Sequence, residues 1–236
     1  MDGAQLHSAL AERLAAVEAR ISAACARAGR PRGGVTLVAV TKAASVEAAA
    51  ALAALGVRDL GESRPQELWR KAAALPAGVR WHLVGHLQRN KIERTLPLVH
   101  LIHSVDSVRL LTALEEEATR QGRTADVLLE VNASREANKH GFGPDEVPGL
   151  APALLPLKAV RVTGLMTMAA YEENPERCRP TFAALRGLRD RLQAAVGAAH
   201  ALTELSMGMT NDFDIAVEEG ATLVRVGTAL FEGLEG

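Results

Sequence analysis

Aromatic side chains are scarce in this chain, at 3% of 236 residues, and positive charge is not in excess, with 27 Lys and Arg against 28 Asp and Glu. Without stacking platforms or a basic field, nucleic acid is excluded as a partner. Cysteine is nearly absent. Cys25 and Cys178 stand alone with no CxxC spacing, so neither a disulfide framework nor a zinc site is expected, and a reducing cytoplasm fits. No apolar run approaches the length of a membrane span. Asp2, Glu12, Arg13, Glu18 and Arg20 interrupt the region where a secretory leader would be apolar. The expectation is a soluble cytoplasmic protein without membrane contact. No Gly-x-Gly-x-x-Gly follows the first strand-like run, which argues against a dinucleotide-binding sheet. No linker rich in Pro, Gly or Ser marks a second domain.

What is present is a regular alternation. Leu6, Leu10, Leu14, Val17, Ile21 and Cys25 recur at steps of four and three, predicting an amphipathic packing helix over 4–29. Eight apolar runs follow, over 35–41, 57–61, 79–85, 101–105, 127–131, 160–166, 202–207 and 222–227. Helical patterns lie between them at 46–55, 65–74, 108–121, 175–196 and 213–219. Strand and helix in alternation call for a parallel sheet with right-handed crossovers, and eight strands at this length favour a closed (β/α)₈ TIM-type barrel. We therefore expect one α/β domain over 1–236, with the barrel spanning 35–231. Pro148, Pro152 and Pro156 predict a short or broken helix in one crossover. Glu115, Glu116 and Glu117 read as a solvated helix face.

In such a barrel the chemistry belongs at the C-terminal ends of the strands. Lys42, one of five lysines, ends the run Val35 to Thr41 and shares a strand face with Val38 and Val40, which we assign to the interior. One reading is a surface lysine just past a strand. The other is an amine desolvated by apolar walls, which can attack an aldehyde to form a Schiff base. The loops after strands seven and eight often bind phosphate in barrels of this type. Here they read Ser206-Met207-Gly208-Met209-Thr210 and Arg225-Val226-Gly227-Thr228. Arg225 sits among Leu223, Val224 and Val226, so its guanidinium needs a partner: Glu130 or Glu62 in an internal ion pair, or the ring nitrogen of a cofactor. In the second case an arginine keeps its own proton and leaves that nitrogen unprotonated, a poorer electron sink.

Together the strand-one lysine, the two-loop cradle and the strand-eight arginine resemble the barrel domain of the alanine racemase-like, fold type III pyridoxal phosphate proteins. The wording is closest to the single-domain pyridoxal phosphate homeostasis family. The resemblance rests on Ala39-Val40-Thr41-Lys42, Gly61-Glu62-Ser63-x-x-Gln66-Glu67, Trp81-His82-x-x-Gly85-x-Leu87-Gln88-x-Asn90-Lys91, Lys139-x-Gly141, Gly164-Leu165-Met166, Ser206-Met207-Gly208-Met209 and Arg225-x-Gly227-Thr228. It implies pyridoxal 5′-phosphate (PLP) held as an internal aldimine on Lys42. It also implies phosphate around Ser206, Gly227 and Thr228, with Met207 and Gly208 alongside, and Arg225 facing the pyridine nitrogen. The implied role is cofactor supply rather than turnover, with PLP-dependent apo-enzymes as recipients. No long exposed apolar stripe in the sequence demands a dimer, so a monomer is expected. Two positions depart from the family wording: Ser63 stands where Asn is usual, and His86 where Pro is usual.

Two enzyme readings compete, a PLP-dependent amino acid racemase and a Schiff-base aldolase. Racemases of this fold add a second domain and an opposing tyrosine. Only Glu232 to Gly236 follow Phe231 here, and the sole tyrosine, Tyr171, has no evident claim to that role. Other residues are read more plainly. His82 and His86 are about 13 Å apart along a strand, too far for one metal ion, and His82 is expected to line the barrel near the cofactor. His100 and His103 read as edge residues. Asn132 and Ser134 end strand five and either reach the site or form a turn. Met166 and Met168 read as core. Lys91 and Lys139 are loop lysines that could hold cofactor in transit.

Overall fold

The structure, a computed structural model, describes residues 2–136 and 140–234. Helix α1 (Gly3–Arg27) begins with a reciprocal cap, in which Asp2 accepts from the Gln5 amide and the Gln5 side chain accepts from the Asp2 amide. Its buried stripe is Leu10, Val17, Ile21, Ala24 and Cys25, as the spacing predicts. Gly29 then takes a φ of 63°, which ends the helix cheaply.

Eight strands follow with their crossovers: β1 (Thr36–Val40), α2 (Val46–Ala54), β2 (Asp59–Glu62), α3 (Pro65–Ala74), β3 (Arg80–Leu83), α4 (Ile92–Thr95), β4 (Val99–Val105), α5 (Val108–Arg120), β5 (Ala125–Glu130), α6 (Ala151–Leu154), β6 (Val160–Met166), α7 (Arg179–Val196), β7 (Glu204–Ser206), α8 (Phe213–Glu218), β8 (Leu223–Val226) and α9 (Thr228–Phe231). All pairs are parallel and the order is sequential, closing β8 onto β1 with Val38 opposite Arg225 and Ala39 opposite Val226. The expected barrel is thus the observed one. Among the described residues the proline-rich crossover carries a 3₁₀ turn (Val147–Gly149) and the four-residue α6, a short helix as expected.

Strand alternation divides the core in two. Leu37, Ala39, Leu60, Leu83, Val127, Leu129 and Leu165 pack outward under the helices, while Val38, Leu101, Leu128, Met166 and Leu223 form a small apolar cluster inside the barrel, with Met168 against it. The remaining interior positions are unusually polar, and His82, His103, Ser206 and Arg225 are all buried there. Register shifts at Trp81/His82, Ile102/Val105 and Val127/Leu128 adjust which side chains point inward.

Helix α1 braces one sector of this wall. Arg13 donates to the carbonyls of Leu230 and Glu232, Arg20 pairs with Asp214 and lies over the Phe213 ring, and Arg27 pairs with Glu218. These partners flank α8 and α9, so the helix steadies the elements that carry the last two strand ends. One expectation is corrected on α5. Glu115 accepts from the amides of Lys158, Ala159 and Val160, so it caps the entry to β6 rather than facing solvent.

Gly164 marks the tightest backbone approach in the barrel wall, since a Cβ there would stand 1.9 Å from the Glu204 carbonyl oxygen. Gly164→Ala is expected to cost about 3 kcal/mol of stability by urea unfolding, because backbone cannot move aside. Gly33→Ala, where no atom lies within 4 Å, is the control and should lose none of this.

Candidate cofactor site

The C-terminal ends of β1 and β8 meet at a cleft of about 160 Å³ lined by Val40, Lys42, Ala43, Gly227, Thr228, Phe231 and Glu232. Barrel closure puts them together, because Val38 lies opposite Arg225 and the chain continues two residues on each strand to Val40 and Gly227. Gly227 keeps the cleft open, as a Cβ there would sit 3.1 Å from the Val40 carbonyl oxygen. Lys42 is exposed. The expectation that apolar walls desolvate its amine is therefore corrected: Lys42 sits in the turn after Val40, past the end of the packed strand.

The backbone that presents Lys42 is nevertheless anchored. Lys71 on α3 and Glu62 on β2 form a buried ion pair at 2.5 Å, both about 1% exposed. The Lys71 amine also donates to the Thr41 carbonyl at 2.5 Å, and the Thr41 hydroxyl donates to Glu62 at 2.8 Å. Removing either partner would strand a buried charge, so this ion pair fixes Thr41 and with it the start of the turn. Glu62 is thereby taken, and it is not the partner of Arg225. Lys71 escaped the sequence reading, although a lysine between Leu68 and Leu75 on a helix's apolar stripe was a legible anomaly.

Arg225 is buried inside the barrel, as expected, but forms no direct ion pair among the described residues. One Nη donates to the Ser206 hydroxyl at 2.5 Å and the other to the Thr167 carbonyl at 2.9 Å. Burial draws its guanidinium down to about 10, with Asp212 and Glu130 opposing, so it stays charged at neutral pH. Those carboxyls are themselves raised by burial. Asp106 adds to the rise at Glu130, and the Met209 amide works against it at Asp212.

Ser206 lies deeper than a rim contact. Its side chain is fully buried, between Arg225 and Nδ1 of His103 at 2.8 Å. Nε2 of His103 is 2.9 Å from Nδ1 of His82, whose Nε2 is 2.9 Å from Asp59. His82 thus lines the barrel as expected, while His103 does not sit at an edge. A closed barrel has no edge, and the strand alternation Leu101, His103 already placed it inward. Met207 turns its side chain into the outer core and donates its amide to Leu223. Gly208, at φ 91°, packs against α8, where a Cβ would meet that of Ala216 at 2.5 Å, and its carbonyl accepts from Arg225. Further along this loop Thr210 is half-buried, and its hydroxyl accepts from the Ala229 amide next to Thr228.

Two other expected residues do not line the Lys42 cleft. Ser63 lines a larger neighbouring cleft of about 410 Å³ with Arg64, Gln66, His86, Gln88 and Lys91. Asn132 forms a turn, donating to the Glu136 carbonyl and accepting from Ser134. Lys139 lies outside the described residues. Tyr171 is 83% exposed.

Residues 13–234 match the family model described as alanine racemase, N-terminal domain. A pyridoxal phosphate homeostasis protein of Aquifex aeolicus is 42% identical, with 93% of this chain and 96% of that one covered. One from Pseudomonas aeruginosa is 40% identical, covering 95% of each. Among solved structures, PipY of Synechococcus elongatus, with PLP bound, superposes at a TM-score of 0.81 and 36% identity, over 94% of this chain and 99% of that one. These define the class as an alanine racemase-type barrel. Within it, the chain belongs to the pyridoxal phosphate homeostasis protein family. No helix among the described residues is long and apolar enough to cross a membrane.

The buried histidines make stability depend on pH. Burial holds both His82 and His103 below the usual imidazole value of 6.5, with Asp59 partly offsetting this at His82 and the nearby His82 and Arg225 adding to it at His103. Each is lowered in the folded chain, so its stabilising contribution is complete above pH 6.5 and is lost as pH falls through the folded values. Urea unfolding should show stability falling below pH 6.5 with a slope of up to about 1.4 kcal/mol per pH unit for each histidine. His103→Gln should remove one histidine's share of that slope.

Proposed function

We propose that this chain binds PLP at the C-terminal mouth of the barrel, keeps it on Lys42, and stores it or hands it on to apo-enzymes. The observation that carries this reading is the cleft where Lys42 meets Gly227 and Thr228. Arg225 lies one inward position below on β8. The donor set fits the group. An amine suits an aldehyde, the Gly227, Thr228 and Thr210 loops suit a phosphate, and a fixed guanidinium suits a neutral aromatic nitrogen. When bound, PLP supplies an aldehyde that condenses with an amine with loss of one water, and water reverses the reaction. An exposed Lys42 leaves that reversal open, which suits release better than turnover in a closed site. Arg225 keeps its proton, so the ring it faces is a weak electron sink. The names of the relatives and the PLP in PipY point the same way. We read the whole chain as one PLP-binding unit, a cytoplasmic monomer without significant turnover.

Purified protein mixed with PLP should turn yellow, and borohydride should fix the label on Lys42 by peptide mapping. Lys42→Ala should abolish the visible band. A colourless wild type in excess PLP overturns the reading. Interconversion of D- and L-alanine at ordinary enzyme rates would overturn the carrier role and restore the racemase.

A further inference from the structure

A single line of hydrogen-bonded side chains crosses the barrel interior. It starts at the opposite mouth, where Asp59, Arg80, His82 and His100 line a cavity of about 200 Å³ with other strand-start residues. It passes through His82, His103 and Ser206 and ends on Arg225, below the cofactor cleft.

Both ends of this line have a forced direction. Arginine only donates, so Arg225 gives an N–H to the Ser206 oxygen. Asp59 only accepts when ionised. Burial alone would raise its carboxyl, but hydrogen bonds from His82 and Arg80 outweigh that and hold it below the ordinary carboxylate value. His82 must then carry its proton on Nε2, facing Asp59. Burial keeps both histidines neutral, so Nδ1 of His82 is a bare acceptor. Nε2 of His103 has to donate to it, which leaves Nδ1 of His103 bare in turn. The one group that can satisfy that nitrogen is the Ser206 hydroxyl, which donates to it. Other charged or titratable groups around the line are His100, packed edge-on against His82, Asp126 and Glu204 in the same cavity, and Asp212 and Glu130 near Arg225. None of them interrupts it.

We propose that Asp59, His82 and His103 form a one-directional relay that spends the Ser206 hydroxyl proton inside the barrel and makes Ser206 a positioning residue for Arg225 rather than a phosphate ligand. A phosphate needs donors, and Ser206 has only a lone pair left to offer. The ligand side of this inference rests on the PLP reading; the proton positions do not.

The test begins with ligand-free protein labelled with ¹⁵N-histidine. Long-range ¹H–¹⁵N spectra should show His82 and His103 both protonated at Nε2. In Asp59→Asn, Arg80 still requires an oxygen, so the amide carbonyl faces Arg80 and its NH₂ faces His82. Both histidines should then switch to the Nδ1 proton, including His103, which Asp59 does not touch. A wild-type His103 protonated at Nδ1, or one unchanged in Asp59→Asn, overturns the relay. If that variant does not fold, the wild-type spectrum decides. In the ligand arm, Ser206→Ala should weaken PLP and pyridoxal equally, by about tenfold, as loss of one bond to a charged group. Thr228→Ala should weaken PLP alone. Loss confined to PLP in Ser206→Ala would return Ser206 to the phosphate. A wild type that binds neither compound sinks the cofactor reading, and the tautomers still decide the relay.

Discussion

Closure of β8 onto β1 is the constraint on which the rest depends. Lys42 and Gly227 are nearly the length of the barrel sequence apart, and only the parallel pairing of Val38 with Arg225 sets them side by side at one rim. The same pairing fixes which faces look inward. A shift of one residue would move Arg225 into the outer layer and bring Val224 or Val226 inside, since side chains alternate along a strand. Both the apolar cluster around Val38 and the polar line through Ser206 would be lost together.

The barrel tolerates an unusually polar interior because nearly every polar group there has a partner. Unpaired, such groups cost stability; paired in series, they hold one another in a single arrangement. The lowered histidines show the cost that burial exacts, and Asp59 with Arg80 anchors one end of the series. The buried Lys71 and Glu62 pair does comparable work in the outer layer. It fixes Thr41 while Lys42, the next residue, stays exposed. The turn that carries Lys42 thus has a rigid base while its side chain is open to water.

Much of this was legible before any coordinates. The eight apolar runs overlap the eight strands, and the predicted helices match α2, α3, α5, α7 and α8 closely, because the periods of 2 and 3.6 survive in a barrel with one wet and one buried helix face. Arg225 was recognisable as a buried guanidinium among valines. The errors share a cause. His103 and Glu115 are each read from their neighbours in sequence, and each has its decisive partner far along the chain: Ser206 for His103, the start of β6 for Glu115.

Hydrophobic period and strand order, which are local properties of the chain, are enough to give the architecture and to single out Lys42 at a strand end and Arg225 within a strand. How exposed Lys42 is, what Arg225 bonds to and that Ser206 faces inward follow only once the strands close into a barrel. Those are matters of partners and direction, and a hydrogen bond's direction is set by both groups that share it.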